Sequence, residues 1–448
     1  MRILLTGATG FVGAPLREAL LARGHLLRCG GRRPTQPAHP RCEWRPLDFA
    51  RATTPEAWAP LLQGCDAALN AVGVFRETAG QGFEALHARA PAALFAACAA
   101  HGVRRVVQVS ALGADERART AYHLSKRAAD QALLALPLQG WVAQPSLVFG
   151  PQGASSRMFL ALASAPLLVL PAGGVQPEQR LDDVVAVDRL HRLLCLSAGE
   201  LRDLGPRVAL VGPRALSLAD YLQELRRSMG LPAARVLSLP PALADAAARL
   251  GDRLPGAWFD SASWAMLQQG NAAPARDTGR LLGRAPRDVR DFVPATEAAS
   301  HRTEAQLRWL LPLLRGSIAA VWFVTAAVSA GLYPVADSYA LLARAGVPHA
   351  VQPLALYGAA ALDLLLGVLT LWPVGLGRAR LPSRRAVWRT QAVLILVYTA
   401  IISVRLPEFW LHPYGPLVKN LPLLAMLLLL DTLEPPAQGR RGAREKAP

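Results

Sequence analysis

The sequence predicts an α/β chain built on a doubly wound parallel sheet with a small mixed substrate subdomain, followed by an all-α bundle of four transmembrane helices. Three observations carry this reading. Short apolar runs alternate with amphipathic stretches from residue 1 to about 150, the texture of βαβ units. A glycine-rich turn directly follows the first of those runs. Beyond Thr303 come four long apolar stretches, each near the ~20 residues that cross a hydrocarbon core.

Taken in order, the expected strands are Ile3–Thr6, Leu26–Gly30, Ala67–Val72, Arg105–Ser110 and Trp141–Gln144, and the expected helices Val12–Arg23, Gln81–His101 and Thr120–Leu136. From 150 to 300 the pattern is mixed. Arg207–Val211 reads as a strand and Ser217–Met229 as a helix, with Pro-, Gly- and Ala-rich connections where such folds build a cover over substrate. The apolar stretches run 310–334, 352–374, 386–404 and 414–430, and Arg389 at the start of the third is expected to snorkel to the interface. Domain bounds of 1–300, 301–433 and a basic disordered tail, 434–448, follow.

A hydrophobic content of 52% against 18% charged residues is apolar for a soluble chain, and the excess lies in the C-terminal stretches. The net charge of +17 is spread along the chain without an aromatic–basic platform, so it points to anionic lipid and not to nucleic acid. Cys29, Cys42, Cys65, Cys98 and Cys195 show no metal-ligand or disulfide spacing and read as small core residues of a reducing compartment; no metal site is expected. With the first strand expected from residue 2, no signal peptide is expected, and the first domain is expected in the cytosol.

Cations beside the spans set the expected orientation. Arg378, Arg380, Arg384 and Arg385 lie between spans two and three, and Arg440, Arg441, Arg444 and Lys446 in the tail, whereas Arg344 and Arg405 are the few in the other loops. Both termini and the sheet domain are therefore expected on the cytoplasmic side of a bacterial-type inner (plasma) membrane. Trp309, Tyr333, Trp372, Trp388, Trp410 and Tyr414 sit near span ends as an aromatic belt. Asp363 and Lys419 fall inside spans, where ionisable groups are costly, and both are expected to face the bundle interior.

Gly7, Gly10 and Gly13 form Gly-x-x-Gly-x-x-Gly between the first strand and the first helix. Glycine suits a sharp turn whose backbone must approach a pyrophosphate at a helix N-terminus, the arrangement of a dinucleotide site. NAD-selective sites end the second strand in an acidic residue. Here that strand runs into Arg32 and Arg33, with no Asp or Glu between His25 and Cys42, which favours NADP(H) over NAD(H) through the 2′-phosphate; a solvated basic turn is the alternative. Asp48, after the next apolar run, stands where it could meet adenine.

The chain holds three lysines, Lys126, Lys419 and Lys446, among 49 basic residues, so a retained lysine marks a place that needs a compact ammonium. Lys126 follows Tyr122 by four residues at a helix start, with Ser110 ending the preceding strand. That spacing sets phenol and ammonium on one helix face, and the ammonium is expected to lower the phenol pKa toward the working range of a general acid. A Tyr and a Lys that merely share a helix surface are the alternative.

With these motifs the sequence resembles the atypical and extended short-chain dehydrogenase/reductases of Rossmann type. Within them it is most similar to the branch that includes the dehydrogenase-like accessory subunit of respiratory complex I and its bacterial relatives. The likeness covers about 1–300 and rests on Thr6-Gly7-Ala8-Thr9-Gly10-Phe11-Val12-Gly13, Asn70-Ala71-Val72-Gly73, Val109-Ser110-Ala111-Leu112-Gly113-Ala114-Asp115, Tyr122-x-x-x-Lys126 and Pro145-Ser146-Leu147-Val148-Phe149-Gly150-Pro151. It implies that Tyr122 gives a proton, Lys126 holds the nicotinamide ribose and Ser110 orients a carbonyl. The implied cofactor set is Gly7, Thr9, Gly10, Phe11, Val12, Gly13, Arg32, Arg33, Asp48, Phe49, Asn70, Ala71, Val72, Gly73, Lys126 and Pro145. Two positions depart from the class: His87 stands where active members often keep Asn, and Gln144 where an Arg is usual. Residues 309–433 resemble the DoxX-like membrane family through Leu332-Tyr333-Pro334-Val335-Ala336-Asp337-Ser338 and the run from Leu411 to Asn420, a family linked to respiratory quinone or thiol chemistry.

Three functions fit. The first is a membrane-anchored NAD(P)H-dependent oxidoreductase acting on a lipophilic carbonyl, quinone or isoprenoid-type substrate from the bilayer. The second is an NADP(H)-binding, non-turnover assembly or stability factor for a respiratory or quinone-synthesis complex, acting beside a respiratory-chain partner or as a homo-oligomer. The third is a small-molecule channel regulated by the nucleotide domain.

Overall fold

The computed structural model describes residues 1–32, 39–78, 80–150, 153–171, 204–254, 257, 259–372 and 383–434, and the backbone of 181–183. Arg33, Pro151, Cys195, Arg378, Arg380 and the four tail cations lie outside the described residues. The chain divides into two compact units, Met1–Gln306 and Leu307–Pro448.

In the first unit β1 (Arg2–Thr6), β2 (Leu26–Gly31), β3 (Cys42–Pro46), β4 (Ala67–Asn70), β5 (Arg105–Val109), β6 (Gln139–Pro145) and β7 (Arg207–Leu210) form one sheet in the order β7-β6-β5-β4-β1-β2-β3. Every neighbouring pair is parallel. The order reverses between β1 and β4, which opens a crevice beyond their C-terminal ends, the usual ligand position in such sheets. Successive strand residues are buried on opposite faces: Ile3, Leu5, Leu69 and Val107 in one core layer, Leu4, Ala68, Val106 and Val142 in the other. Helices on both sides explain why these strands read as unbroken apolar runs. β3 was not among the expected strands; as Cys-Glu-Trp-Arg-Pro at a sheet edge it lacks that apolar signature.

Helices α1 (Gly13–Ala22), α2 (Ala90–Ala100) and α3 (Ala121–Leu134) follow β1, β4 and β5. The expected helix Gln81–His101 is interrupted: Glu84–Arg89 forms a π-helical turn before α2. Pro91 supplies the cause, since it has no N–H for the carbonyl of His87 and its ring crowds that carbonyl, so the preceding turn widens. The smaller subdomain pairs Leu147–Phe149 with Leu181–Asp183 and Leu167–Pro171 with Arg235–Leu239. Its core joins Phe149, Leu160, Tyr221, Leu225 and Phe292.

The second unit takes α4 (Ala298–Ala327) from Leu307 onward, then α5 (Val335–Arg344), α6 (Gln352–Leu371), α7 (Arg384–Arg405) and α8 (Asn420–Leu433). Among the described residues three helical stretches are long and apolar enough to cross a membrane, Ala298–Leu332, His349–Leu371 and Arg384–Arg405. The fourth expected span is only partly helical. α8 has 14 residues, because Pro407, Pro413 and Pro416, with Gly415 at φ +52°, keep the chain from winding earlier. α5 occupies what was expected to be a plain loop.

The bundle packs Ile318, Leu366, Trp388, Ile395 and Leu427 around a short buried polar chain and is apolar outside. Trp322 Nε1 donates to Gln391 Oε1 at 2.9 Å, and Gln391 Nε2 donates to Thr370 Oγ1 at 2.8 Å, all buried. Leu332, Leu354, Val404 and Leu421 are exposed on its surface, as a lipid-facing layer requires. At one end Arg315, Arg384 and Arg385 converge on Glu434, while Arg389 pairs with Asp431. Asp363 is buried as expected. Lys419 is exposed, which corrects its expected inward placement: it lies one residue before α8, outside the packed seam.

Candidate cofactor and active site

The glycine turn sits in the crevice between β1 and β4. Gly7 has φ +73°, and a Cβ there would lie 2.7 Å from the Ala71 carbonyl. A Cβ on Gly13 would lie 2.0 Å from the Gly7 oxygen. Neither position admits a side chain. Gly10 N–H closes the turn on Gly7 O at 2.8 Å, leaving Thr9, Gly10 and Phe11 exposed before α1. This is a backbone cradle at a helix start, and a pyrophosphate fits it.

Beneath the cradle a buried polar row crosses three strands. Thr6 Oγ1 donates to Asn70 Oδ1 at 2.6 Å, and Asn70 Nδ2 donates to Gln108 Oε1 at 2.7 Å. Asn70 Oδ1 also accepts from Val72 N–H at 3.2 Å, which turns the chain after β4. The Asn70 side chain is thus spent within the protein, and the backbone of Ala71, Val72 and Gly73 forms the wall of the crevice. Arg32 is exposed and reaches the Gln81 side chain, whose oxygen, once the amide is turned to accept, lies 3.0 Å from Nη2. Asp48 is exposed, accepts from Ala50 N–H and pairs with Arg51. The Phe49 ring points into the core, edge-on to Trp58 at 5.4 Å.

Lys126 is 3% exposed, and Nζ donates to Val109 O at 3.1 Å and Val72 O at 3.3 Å. A Cβ on Gly73 would come within 3.0 Å of Nζ, so that glycine makes room for the ammonium. Two of three ammonium donors are used, leaving one for a ligand. Tyr122, one turn earlier on α3, is ringed by Phe75, Phe83, His87 and His123, with ring centres 5.3–5.9 Å away. His87 Nε2 accepts from Val74 N–H at 3.0 Å. Ser125 gives its hydrogen to Tyr122 O, so the 3.1 Å contact with His87 is an Nδ1–H donated to Ser125 Oγ.

Ser110 does not meet the phenol with its hydrogen. Its hydroxyl donates to Asp130 Oδ2 at 2.5 Å, and Asp130 is fully buried. Asp130 continues the helix face of Tyr122 and Lys126 at the next four-residue step. That spacing was readable; its partnership with Ser110, twenty residues away just past the end of β5, was not. Phe75 and Phe83 were also missed: Phe75 lies in irregular chain, and Phe83, at the start of the expected helix, carries no local sign that it meets Tyr122.

Burial governs the proton inventory. It pushes the Tyr122 phenol up to about 12, with the Asp130 carboxylate adding to the effect. The expected lowering by Lys126 does not appear: both causes of the shift, burial and Asp130, act upward. Burial brings Lys126 down to about 8 against the pull of Asp130, and His87 down to about 3 with help from Lys126. Asp130 is raised to about 6 by burial, opposed by the Ser110 hydrogen bond and Lys126. Near neutrality Tyr122 and Lys126 hold their protons and His87 is neutral.

Comparison with known proteins agrees with both units. Residues 7–145 match an NAD(P)H-binding family, and residues 319–428 match the DoxX-like family. The chain is 31% identical over 171 residues to a ceramide reductase of Caulobacter vibrioides, across 37% of this chain and 52% of that protein. It therefore spans about half the length of the curated relative it matches. Among solved structures, a nucleoside-diphosphate-sugar epimerase of Staphylococcus aureus superposes with a TM-score of 0.52 at 15% identity, covering 65% of this chain and 99% of the other; the likeness is one of fold. The Bordetella bronchiseptica enzyme WbmH in complex with NAD+ gives a TM-score of 0.47 at 14% identity, over 69% of this chain and 98% of that one. The chain thus joins an NAD(P)H-binding domain of Rossmann type to a C-terminal DoxX-like domain.

Proposed function

We propose that the protein is an NADPH-dependent reductase of a lipophilic carbonyl compound drawn from the bilayer. The observation that carries this reading is the Tyr122 phenol, collared by Phe75 and Phe83, on the same helix face as Lys126, whose ammonium is buried beside the backbone of Val72. NADPH, when bound, supplies the hydride. Tyr122 holds at Oη the proton that the reduced oxygen takes up. Lys126 presents its remaining N–H to the ribose and keeps positive charge beside the phenol as the proton leaves. The aromatic collar, with Phe75 58% exposed, offers an apolar surface that favours an apolar substrate stem. Of the carbonyl, quinone and isoprenoid classes open to the sequence, the name of the Caulobacter relative favours a ceramide-type lipid carbonyl.

One observation favours a second reading, a non-turnover NADP(H)-binding factor beside a respiratory or quinone-synthesis complex. Ser110, which would orient a carbonyl, has given its hydrogen to Asp130. Complementation of a deletion strain separates the two. Tyr122→Phe is expected to lower the rate by about 10²–10⁴-fold, with NADPH affinity nearly unchanged. Lys126→Arg is expected to fail as well, since a planar guanidinium does not replace a compact ammonium there. Full rescue by both variants leaves only the binding-factor reading.

A further inference from the structure

The helical unit encloses a cavity of about 160 Å³, lined by Ile318, Val321, Trp322 and Thr325 of α4, Asp363 of α6, Ile395 and Tyr398 of α7, and Asn420, Leu423 and Leu427 of α8. Asp363 is 6% exposed, and its Oδ1 has no hydrogen-bond partner among the described residues. A carboxyl oxygen buried among apolar helices without a partner is costly, and such a group in a membrane bundle marks a site that something else completes. We propose that this cavity binds the polar end of an uncharged amphiphile that donates hydrogen bonds, through a hydroxyl or an amide N–H, with Asp363 as the acceptor.

Three features select that chemistry. Part of the donor set around the cavity is engaged within the bundle: Thr325 Oγ1 lies 3.0 Å from both Val321 O and Trp322 O and also bonds Asp363, and Asn420 Nδ2 donates one hydrogen to Thr399 Oγ1 at 2.8 Å. Asp363 Oδ1 remains open as a buried acceptor, which a headgroup with O–H or N–H meets and a quinone, bearing acceptors alone, does not. The volume is close to that of cavities that hold one six-membered ring, so it takes a headgroup and not a chain. Val321 and Tyr398 are 40% and 38% exposed, so the cavity reaches the apolar flank of the bundle and an acyl tail can leave sideways into lipid. A cationic headgroup would have to shed its hydration to reach this apolar lining, a larger desolvation cost than a neutral donor incurs.

The inference stands apart from the reductase reading. The full-length protein in lipid nanodiscs would be photolabelled with a ceramide carrying a diazirine and an alkyne, and in parallel with a diazirine fatty-acid methyl ester that lacks donors. The ceramide is expected to label peptides of α4, α6, α7 and α8 that line the cavity and to be displaced by unlabelled ceramide. Labelling there should fall at least tenfold in Asp363→Leu and in Leu423→Trp, which fills the space and keeps the carboxyl. Methyl ester labelling should not change. If Asp363→Leu fails to give a monodisperse protein, Leu423→Trp decides. Equal cavity labelling by both probes, undiminished labelling of Leu423→Trp, or displacement by decylubiquinone as efficient as by ceramide would each overturn the proposal. NADPH affinity measured on the same samples reports the reductase reading separately.

Discussion

At Lys126 two ammonium hydrogens go to the carbonyls of Val72 and Val109, which tie the ends of β4 and β5 to α3. Next to it, Asp130 is held by Ser110 and raised to about 6 by burial. A carboxyl raised in the folded state favours folding while protonated, so its contribution is full at low pH and is lost as pH rises through about 6. Against Asp130→Asn, the wild type should therefore lose on the order of 1–2 kcal/mol between pH 5 and pH 7, read from denaturant unfolding of the first unit. A difference independent of pH would show that the carboxyl does not titrate there. Arg32 is exposed and free to leave Gln81 for a phosphate. Arg32→Ala is expected to weaken NADPH binding by roughly 10–100-fold and NADH binding little, measured by titration. Equal affinity for both nucleotides, unchanged by the substitution, would remove the NADP preference.

At the level of elements, the π turn Glu84–Arg89 decides where His87 stands. Its ring supports Val74 N–H on one side and Ser125 on the other, and so fixes the loop that carries Phe75 over the phenol. Pro91→Ala restores an N–H and removes the ring that widens the turn, so the segment can rewind as α-helix and carry His87 away. The expected result is a roughly 10–100-fold loss of rate, as for an ångström-scale misplacement, with melting temperature unchanged or higher. A variant with normal rate would show that His87 placement is not needed. The helix over this region was legible from its apolar spacing; its break was not, because one proline inside the expected helix marks a kink without saying which way the turn opens.

Across the whole molecule, the second unit carries its hydrophobic surface outward and its Trp322–Gln391–Thr370 chain inward. The cation count beside the spans predicts that reporters fused after residue 345 and after residue 382 give opposite sidedness, because one crossing separates them. The same signal from both positions would contradict a crossing by α6. The four apolar stretches were visible in hydropathy, but the length of α8 was not, since the apolar signal begins among prolines that delay the start of the helix.

What the sequence by itself determined is local: glycines at a turn between strand and helix, a tyrosine and a lysine one helical turn apart, and apolar stretches of membrane length. Each follows from φ/ψ limits, helical periodicity or transfer free energy, which act over a few neighbouring residues. Only the tertiary structure decided the partners. It turned Ser110 toward Asp130, gathered Phe75 and Phe83 around Tyr122, and set Asp363 inside the bundle while leaving Lys419 at its surface. These outcomes depend on which helix packs on which strand or helix. A charged residue in an apolar stretch has the same local signature whichever way its helix is rotated.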